Sequence, residues 1–271
     1  MREQIAFIGG GNMASALIGG LLKQGLSVQK INVVEPFEQA RSKLLSDFGI
    51  SALEQSGPAL AQATLVVWAV KPQTFRPAAE ATHAYTRQAL HLSVAAGIHS
   101  DSIARWLGTE RIVRSMPNTP ALIGLGMTAL FGREGVTQID RQVVEKVIRP
   151  TGQYLWLGAE DQLDAVTALS GSGPAYVFYF LEAMIKAGLE MGLTPQQARQ
   201  LAIQTFIGSS ELARSSNEDL SVLRQRVTSK GGTTHAAITA MEQAQMQTLF
   251  IQALQAARQR SQELGEEFGA Q

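Results

Sequence analysis

The chain has 271 residues, 45% of them hydrophobic and 17% charged, which is enough for a sizeable core and two domains and too apolar for a disordered polymer. Basic and acidic side chains balance at 23 each, which argues against a nucleic-acid or anionic-membrane partner held by long-range charge. With no cysteine, disulfides and thiolate metal sites are excluded, and a cytoplasmic protein is expected.

Met1-Arg2-Glu3-Gln4-Ile5 leads almost at once into an apolar run, Gln4–Ile8, so no secretory signal peptide is expected there. The run reads as a strand and ends in Gly9-Gly10-Gly11. From Asn12 to Leu22 the apolar residues Met13, Leu17, Ile18 and Leu21 recur at helical spacing, with Gly25 as a stop. Ile31–Val34 is a second strand closed by Glu35-Pro36, and 40–48 reads as helix. Leu65–Val70 is almost continuously apolar, as a parallel strand covered on both faces should be. Short strands are expected at 90–94, 112–115 and 152–157.

From about residue 161 the strand signals stop. Helical patterns follow at 163–169, 175–191, 195–213, 219–227 and 235–264. The apolar stretch Ala175–Leu189 is interrupted by Glu182 and Lys186 and is too short to cross a bilayer. The expected class is α/β: a Rossmann-type doubly wound sheet over residues 1–160, then an all-helical domain over 161–271.

Gly9-Gly10-Gly11-Asn12-Met13-Ala14 fits G-x-G-x-x-A between a strand and a helix. In that pattern Gly9 permits the tight turn, Gly11 lets the pyrophosphate approach, and Ala14 lets helix and strand pack closely. The helix N-terminus then offers free amides to the phosphates. Glu35, about 20 residues on, stands where a ribose-binding acid belongs. A carboxylate there accepts from a 2′-hydroxyl and repels a 2′-phosphate, although Arg41 is near enough in sequence to reach a phosphate. The cofactor is therefore NADPH or NADH.

Three further segments follow strands and so lie at their carboxyl ends, where ligands bind in such sheets. Val70-Lys71-Pro72 offers Lys71 to cofactor or substrate, or simply to water. Ala95-Ala96-Gly97 leaves room for a flat ring. Met116-Pro117-Asn118-Thr119-Pro120 is stiffened by its two prolines; Asn118 is either an amide beside the nicotinamide or a turn residue.

A second glycine-bearing turn, Ser229-Lys230-Gly231-Gly232-Thr233-Thr234, precedes a helix and suits a substrate carboxylate, with an ordinary interhelical loop as the plainer reading. His83, His91, His99 and His235 form no helical metal pair, and no metal site is expected. Ser170-Gly171-Ser172-Gly173 lacks the nucleophile-elbow pattern and reads as a place where helices meet closely.

These segments, in this order and over almost the whole length, resemble pyrroline-5-carboxylate reductase. The likeness rests on the Gly9–Ala14 loop, Ala69-Val70-Lys71-Pro72, Met116–Pro120, Leu169–Tyr176 and Asp219–Thr234; the last two are more specific than the first. The resemblance implies hydride transfer from NAD(P)H to (S)-1-pyrroline-5-carboxylate, giving L-proline. It implies that Ser229, Lys230, Gly231, Gly232, Thr233 and Thr234 hold the substrate carboxylate, that Thr234 lies near the ring nitrogen, and that Asn118 and Thr234 are the catalytic pair. It also implies a homodimer through the helical domain, or a decamer of such dimers. Two positions depart from many members: Lys230, where proline is frequent, and Glu35, since many members use NADPH. Other readings are an oxo-acid reductase with Lys186 as its acid, and a cofactor-binding protein without chemistry.

Overall fold

The structure, a computed structural model, describes residues 4–269; Met1–Glu3 of the expected N-terminal segment lie outside the described residues. The chain divides into two compact units, one reaching Gly173 and taking back the chain from Ala257 onward, the other Pro174–Ala256.

The first unit alternates strands and helices: β1 (Ile5–Ile8), α1 (Asn12–Lys23), β2 (Ile31–Val34), α2 (Glu38–Phe48), β3 (Leu65–Trp68), α3 (Pro72–Thr86), β4 (Leu90–Ser93), α4 (Ser100–Leu107), β5 (Ile112–Met116), β6 (Gly126–Gly132), α5 (Gln138–Ile148) and β7 (Gly152–Trp156). The sheet order is β2-β1-β3-β4-β5-β6-β7. Side chains alternate between two cores. Ile5, Phe7, Leu65 and Val67 pack with α1 and α5 residues such as Leu17, Ile18 and Val144. Ala6, Ile8, Val66 and Trp68 pack with Phe75 and Ile103 of α3 and α4. Double coverage explains the unbroken apolar strands, each large side chain contributing about 1.5–3 kcal/mol when fully buried.

One strand escapes the sequence pattern. β6 runs antiparallel to β5, pairing Val113 with Gly132 and Met116 with Ala129, and it was not expected. Only the single turn Thr119–Ile123 separates the two, too little chain for a crossover helix, so the strand must fold straight back. β7 then returns parallel to β6 through α5. The doubly wound sheet is thus parallel except between β5 and β6.

The chain past β7 forms α6 (Gln162–Val166) and a π-turn over Thr167–Gly171, in which the Ser172 amide donates to the Thr167 carbonyl at 2.8 Å. Both α6 and the π-turn belong to the sheet-bearing unit. The second unit follows with α7 (Gly173–Glu190), α8 (Pro195–Ser215), α9 (Leu220–Arg226), α10 (Thr233–Gln243) and the start of α11 (Met246–Gly269). The single helix expected at 235–264 is thus two, broken at Ala244-Gln245, where Gln245 takes φ 51°. Among the described residues no helix is long and apolar enough to cross a membrane.

His91, on β4, is buried, and its Nδ1 accepts from Trp68 Nε1 at 3.0 Å. Burial pushes the imidazole down to about 4; the Arg111 charge adds to this and the Thr86 carbonyl opposes it. The unfolded chain then binds the extra proton first as pH falls, so stability is lost between about pH 6.5 and 4. Denaturant midpoints across this window should reveal a loss on the order of 3 kcal/mol from this group, absent in His91→Gln.

Candidate active site

The glycine loop is open where a dinucleotide needs space. Gly9 has φ +96°, and a Cβ there would meet the Ala69 carbonyl oxygen at 2.5 Å, so only glycine fits the turn. At Gly11, by contrast, a Cβ would meet no atom within 4 Å. Gly11 is also the N-cap of α1, and no side chain closes that helix end. The amides of Asn12, Met13 and Ala14 open the helix and face a backbone that a pyrophosphate can approach. Ala14 is fully buried against the sheet, as close packing requires. These residues fit a dinucleotide.

Glu35 follows β2 and is only 6% exposed. Its Oε2 accepts from the Gly10 amide at 2.7 Å and its Oε1 from the Phe37 amide at 2.9 Å. The acid expected at the ribose position thus fastens the middle of the glycine loop. Arg41 does not reach forward: its guanidinium donates to the carbonyls of Glu35 and Pro36 at 3.0 and 2.6 Å. The sequence signalled both residues but not these bonds.

The other strand-end residues divide. Val70 packs on Gly9, Lys71 is exposed as the N-cap of α3, and Pro72 occupies that helix's first position. Ala95 is buried and Ala96 half-buried. Gly97 has φ +79°, and a Cβ there would meet Leu264 and Gly265 of α11, so the missing side chain also serves helix packing. Asn118 is not a free amide. Its Nδ2 donates to the Ser170 carbonyl at 3.1 Å and its Oδ1 accepts from the Met127 amide at 2.9 Å. Asn118 thereby ties the β5 loop to β6 and to the π-turn, where Gly171 leaves room for Met116. Of the small residues Ser170–Gly173, Gly171 gives a close approach to a strand residue, whereas a Cβ at Gly173 would meet nothing within 4 Å.

A buried charged group in this unit went unread in the sequence. Arg114, in the middle of β5, pairs with Glu160, which also accepts from the Ser100 amide at 2.6 Å and the Ser100 hydroxyl at 2.5 Å. Burial alone would raise the Glu160 carboxyl, but the Arg114 charge and the Ser100 bonds hold it below the ordinary carboxylate value. The available signal was a charge inside an otherwise apolar strand, Ile112-Val113-Arg114-Ser115-Met116.

In the second unit, the turn Ser229–Gly232 is closed by the Gly232 amide donating to the Ser229 carbonyl at 3.0 Å, with Gly231 at φ +76°. Gly232 is the N-cap of α10 and has no capping side chain, so the helix presents free amides together with Thr233 and the half-buried Thr234. Ser229 and Lys230 are exposed. This terminus can accept an anion. Lys186, on α7, is exposed.

The first unit and its glycine loop define a dinucleotide-binding oxidoreductase with an appended helical unit. A family described as NADP oxidoreductase, coenzyme F420-dependent, matches residues 4–97, and one described as pyrroline-5-carboxylate reductase dimerisation matches 160–264. The Pseudomonas aeruginosa pyrroline-5-carboxylate reductase is 43% identical, covering 98% of each chain. The solved Coxiella burnetii pyrroline-5-carboxylate reductase has a TM-score of 0.89 at 36% identity, over 97% of this chain and 99% of that one. The Plasmodium falciparum pyrroline carboxylate reductase, solved with NADP bound, has a TM-score of 0.87 at 27% identity, over 97% and 98%. The chain belongs to the pyrroline-5-carboxylate reductase family. It is an NAD(P)H-dependent oxidoreductase that associates with itself through its helical unit.

Proposed function

We propose that the chain reduces (S)-1-pyrroline-5-carboxylate to L-proline, the step its relatives are named for, with the glycine loop holding the cofactor and the Ser229–Thr234 turn holding the substrate. The observation that carries this reading is the pair of uncapped helix starts, at Gly11 and Gly232, each backed by glycine and open to an anion. In this reading the amides of Asn12, Met13 and Ala14 hold the pyrophosphate. The amides and hydroxyls of Ser229, Gly231, Gly232, Thr233 and Thr234 hold the substrate carboxylate, and Lys230 adds charge nearby. The Thr234 hydroxyl lies against the ring nitrogen.

When bound, the reduced nicotinamide supplies a hydride to the C=N carbon. The imine π pair becomes the nitrogen lone pair. A substrate arriving as its iminium already carries the nitrogen proton, so no strong acid is required of the protein. Its contribution is orientation of two rings and accommodation of charge. Asn118 takes part by holding the β5 loop, through the bonds already described.

The self-associating form is read as a homodimer, or as a decamer of such dimers. Its support is the exposed apolar surface of the helical unit, with Phe178, Tyr179, Leu201 and Leu249 each more than half exposed. A cytoplasmic setting suits the cysteine-free sequence.

Assay of the purified chain with pyrroline-5-carboxylate should show oxidation of NADH or NADPH with proline as product. No turnover with either cofactor overturns the reading. Thr234→Ala should lower kcat/KM by roughly 10–100-fold, the worth of one hydrogen bond to a charged group. Unchanged kinetics in that variant would remove Thr234 from the site.

A further inference from the structure

We propose that Glu35 makes the adenosine end of the cofactor site a 2′-hydroxyl site, so that this chain selects NADH over NADPH. The inference rests on the dinucleotide reading of the glycine loop. Strand β2 lies beside β1 in the sheet, so its last residue and the turn after it flank Gly9–Gly11. At that turn the Glu35 carboxylate is buried and fixed at both oxygens, by the Gly10 and Phe37 amides.

Fixation is what turns a charge into a filter. An exposed glutamate swings away from a larger anion, whereas this one would have to abandon two backbone amides to do so. Each of its oxygens keeps a lone pair for a ribose hydroxyl. A 2′-phosphate, carrying close to two negative charges, has little proton to donate and meets the carboxylate at short range. Glu38, in the first turn of α2, adds a second negative charge to the same turn. Arg41, the nearby cation, spends its Nη1 on the carbonyls of Glu35 and Pro36. Phe37, 73% exposed in the same turn, offers an aromatic face to an adenine. The Plasmodium falciparum relative was solved with NADP bound, so the preference proposed here belongs to this chain's β2–α2 turn and not to the fold.

Binding without the pyrroline substrate tests this apart from the reaction. Full-length protein is titrated with NADH and with NADPH by nicotinamide fluorescence. The expected ratio of Kd values favours NADH by roughly tenfold or more and shrinks with added salt. Glu35→Gln keeps an oxygen for the Gly10 amide and removes the charge; it should tighten NADPH and bring the two Kd values to within about threefold. Equal weakening of both cofactors in Glu35→Gln would make Glu35 a structural clamp only and overturn the proposal, as would a wild-type preference for NADPH. Binding of neither cofactor overturns the dinucleotide reading, and this proposal with it. Tight binding without turnover of the pyrroline overturns the assigned reaction and leaves the filter standing.

Discussion

Alanine at Gly9 is expected to abolish cofactor binding and to lower stability by on the order of 3 kcal/mol, while alanine at Gly11 removes binding alone. The difference follows from what each Cβ would meet. At Gly9 the obstacles are the Ala69 carbonyl oxygen and carbon at 2.5 and 2.9 Å, both backbone atoms of the chain leaving β3, which cannot rotate aside. The backbone there is also at φ +96°, a conformation that costs any L side chain. At Gly11 the backbone is extended and the space ahead is free, so the folded protein should lose no more than about 0.5 kcal/mol. The methyl group would instead stand where the pyrophosphate must approach. Denaturant unfolding and fluorescence titration of the two variants separate the effects. A Gly11→Ala protein that binds both cofactors like wild type would show that the phosphates lie elsewhere.

Breaking the Arg114–Glu160 pair from one side should cost about 3–5 kcal/mol, because an uncompensated charge stays in the interior. The Arg114 side chain is 6% exposed and that of Glu160 20%, so water offers little replacement solvation. Arg114→Met strands the carboxylate, which retains its Ser100 bonds and the His99 imidazole at 3.9 Å. Exchanging both residues for methionine should recover most of the loss, since paired burial of charge gains little over apolar packing. If the double variant is no more stable than the single ones, Glu160 has some other essential partner. Acid should act on the same pair. The folded Glu160 carboxyl lies below its ordinary value, so its contribution is complete above the unfolded pKa and disappears as pH falls through the folded one. A urea series from neutral pH downward should show this decline in wild type and its absence in the double methionine variant.

Much of the architecture is legible in local chemistry. Apolar runs such as Leu65–Val70 announce strands covered on both faces because a parallel sheet admits no polar side. The G-x-G-x-x-A spacing announces the phosphate turn because Gly9 and Gly11 have different steric duties: a Cβ at Gly9 would meet Ala69 at 2.5 Å, and one at Gly11 would meet open space. The helical texture after residue 161 is legible for the same kind of reason: apolar residues at helical spacing replace short continuous apolar runs. β6 was not legible. Gly126-Met127-Thr128-Ala129-Leu130-Phe131-Gly132 carries no strong alternation, and its direction depends on the short turn before it.

The sequence by itself determined the class of most segments, the position of both glycine-bearing turns and the family, since propensity, periodicity and the steric needs of glycine act between near neighbours along the chain. Tertiary structure alone decided how the polar side chains are used. It gave the Glu35 carboxylate to Gly10 and Phe37, the Asn118 amide to Met127 and Ser170, the face of Gly97 to α11, and Arg114 to a glutamate 46 residues away. A buried polar group must find a partner wherever the fold brings one within reach, and that distance in space is not written in the spacing of residues.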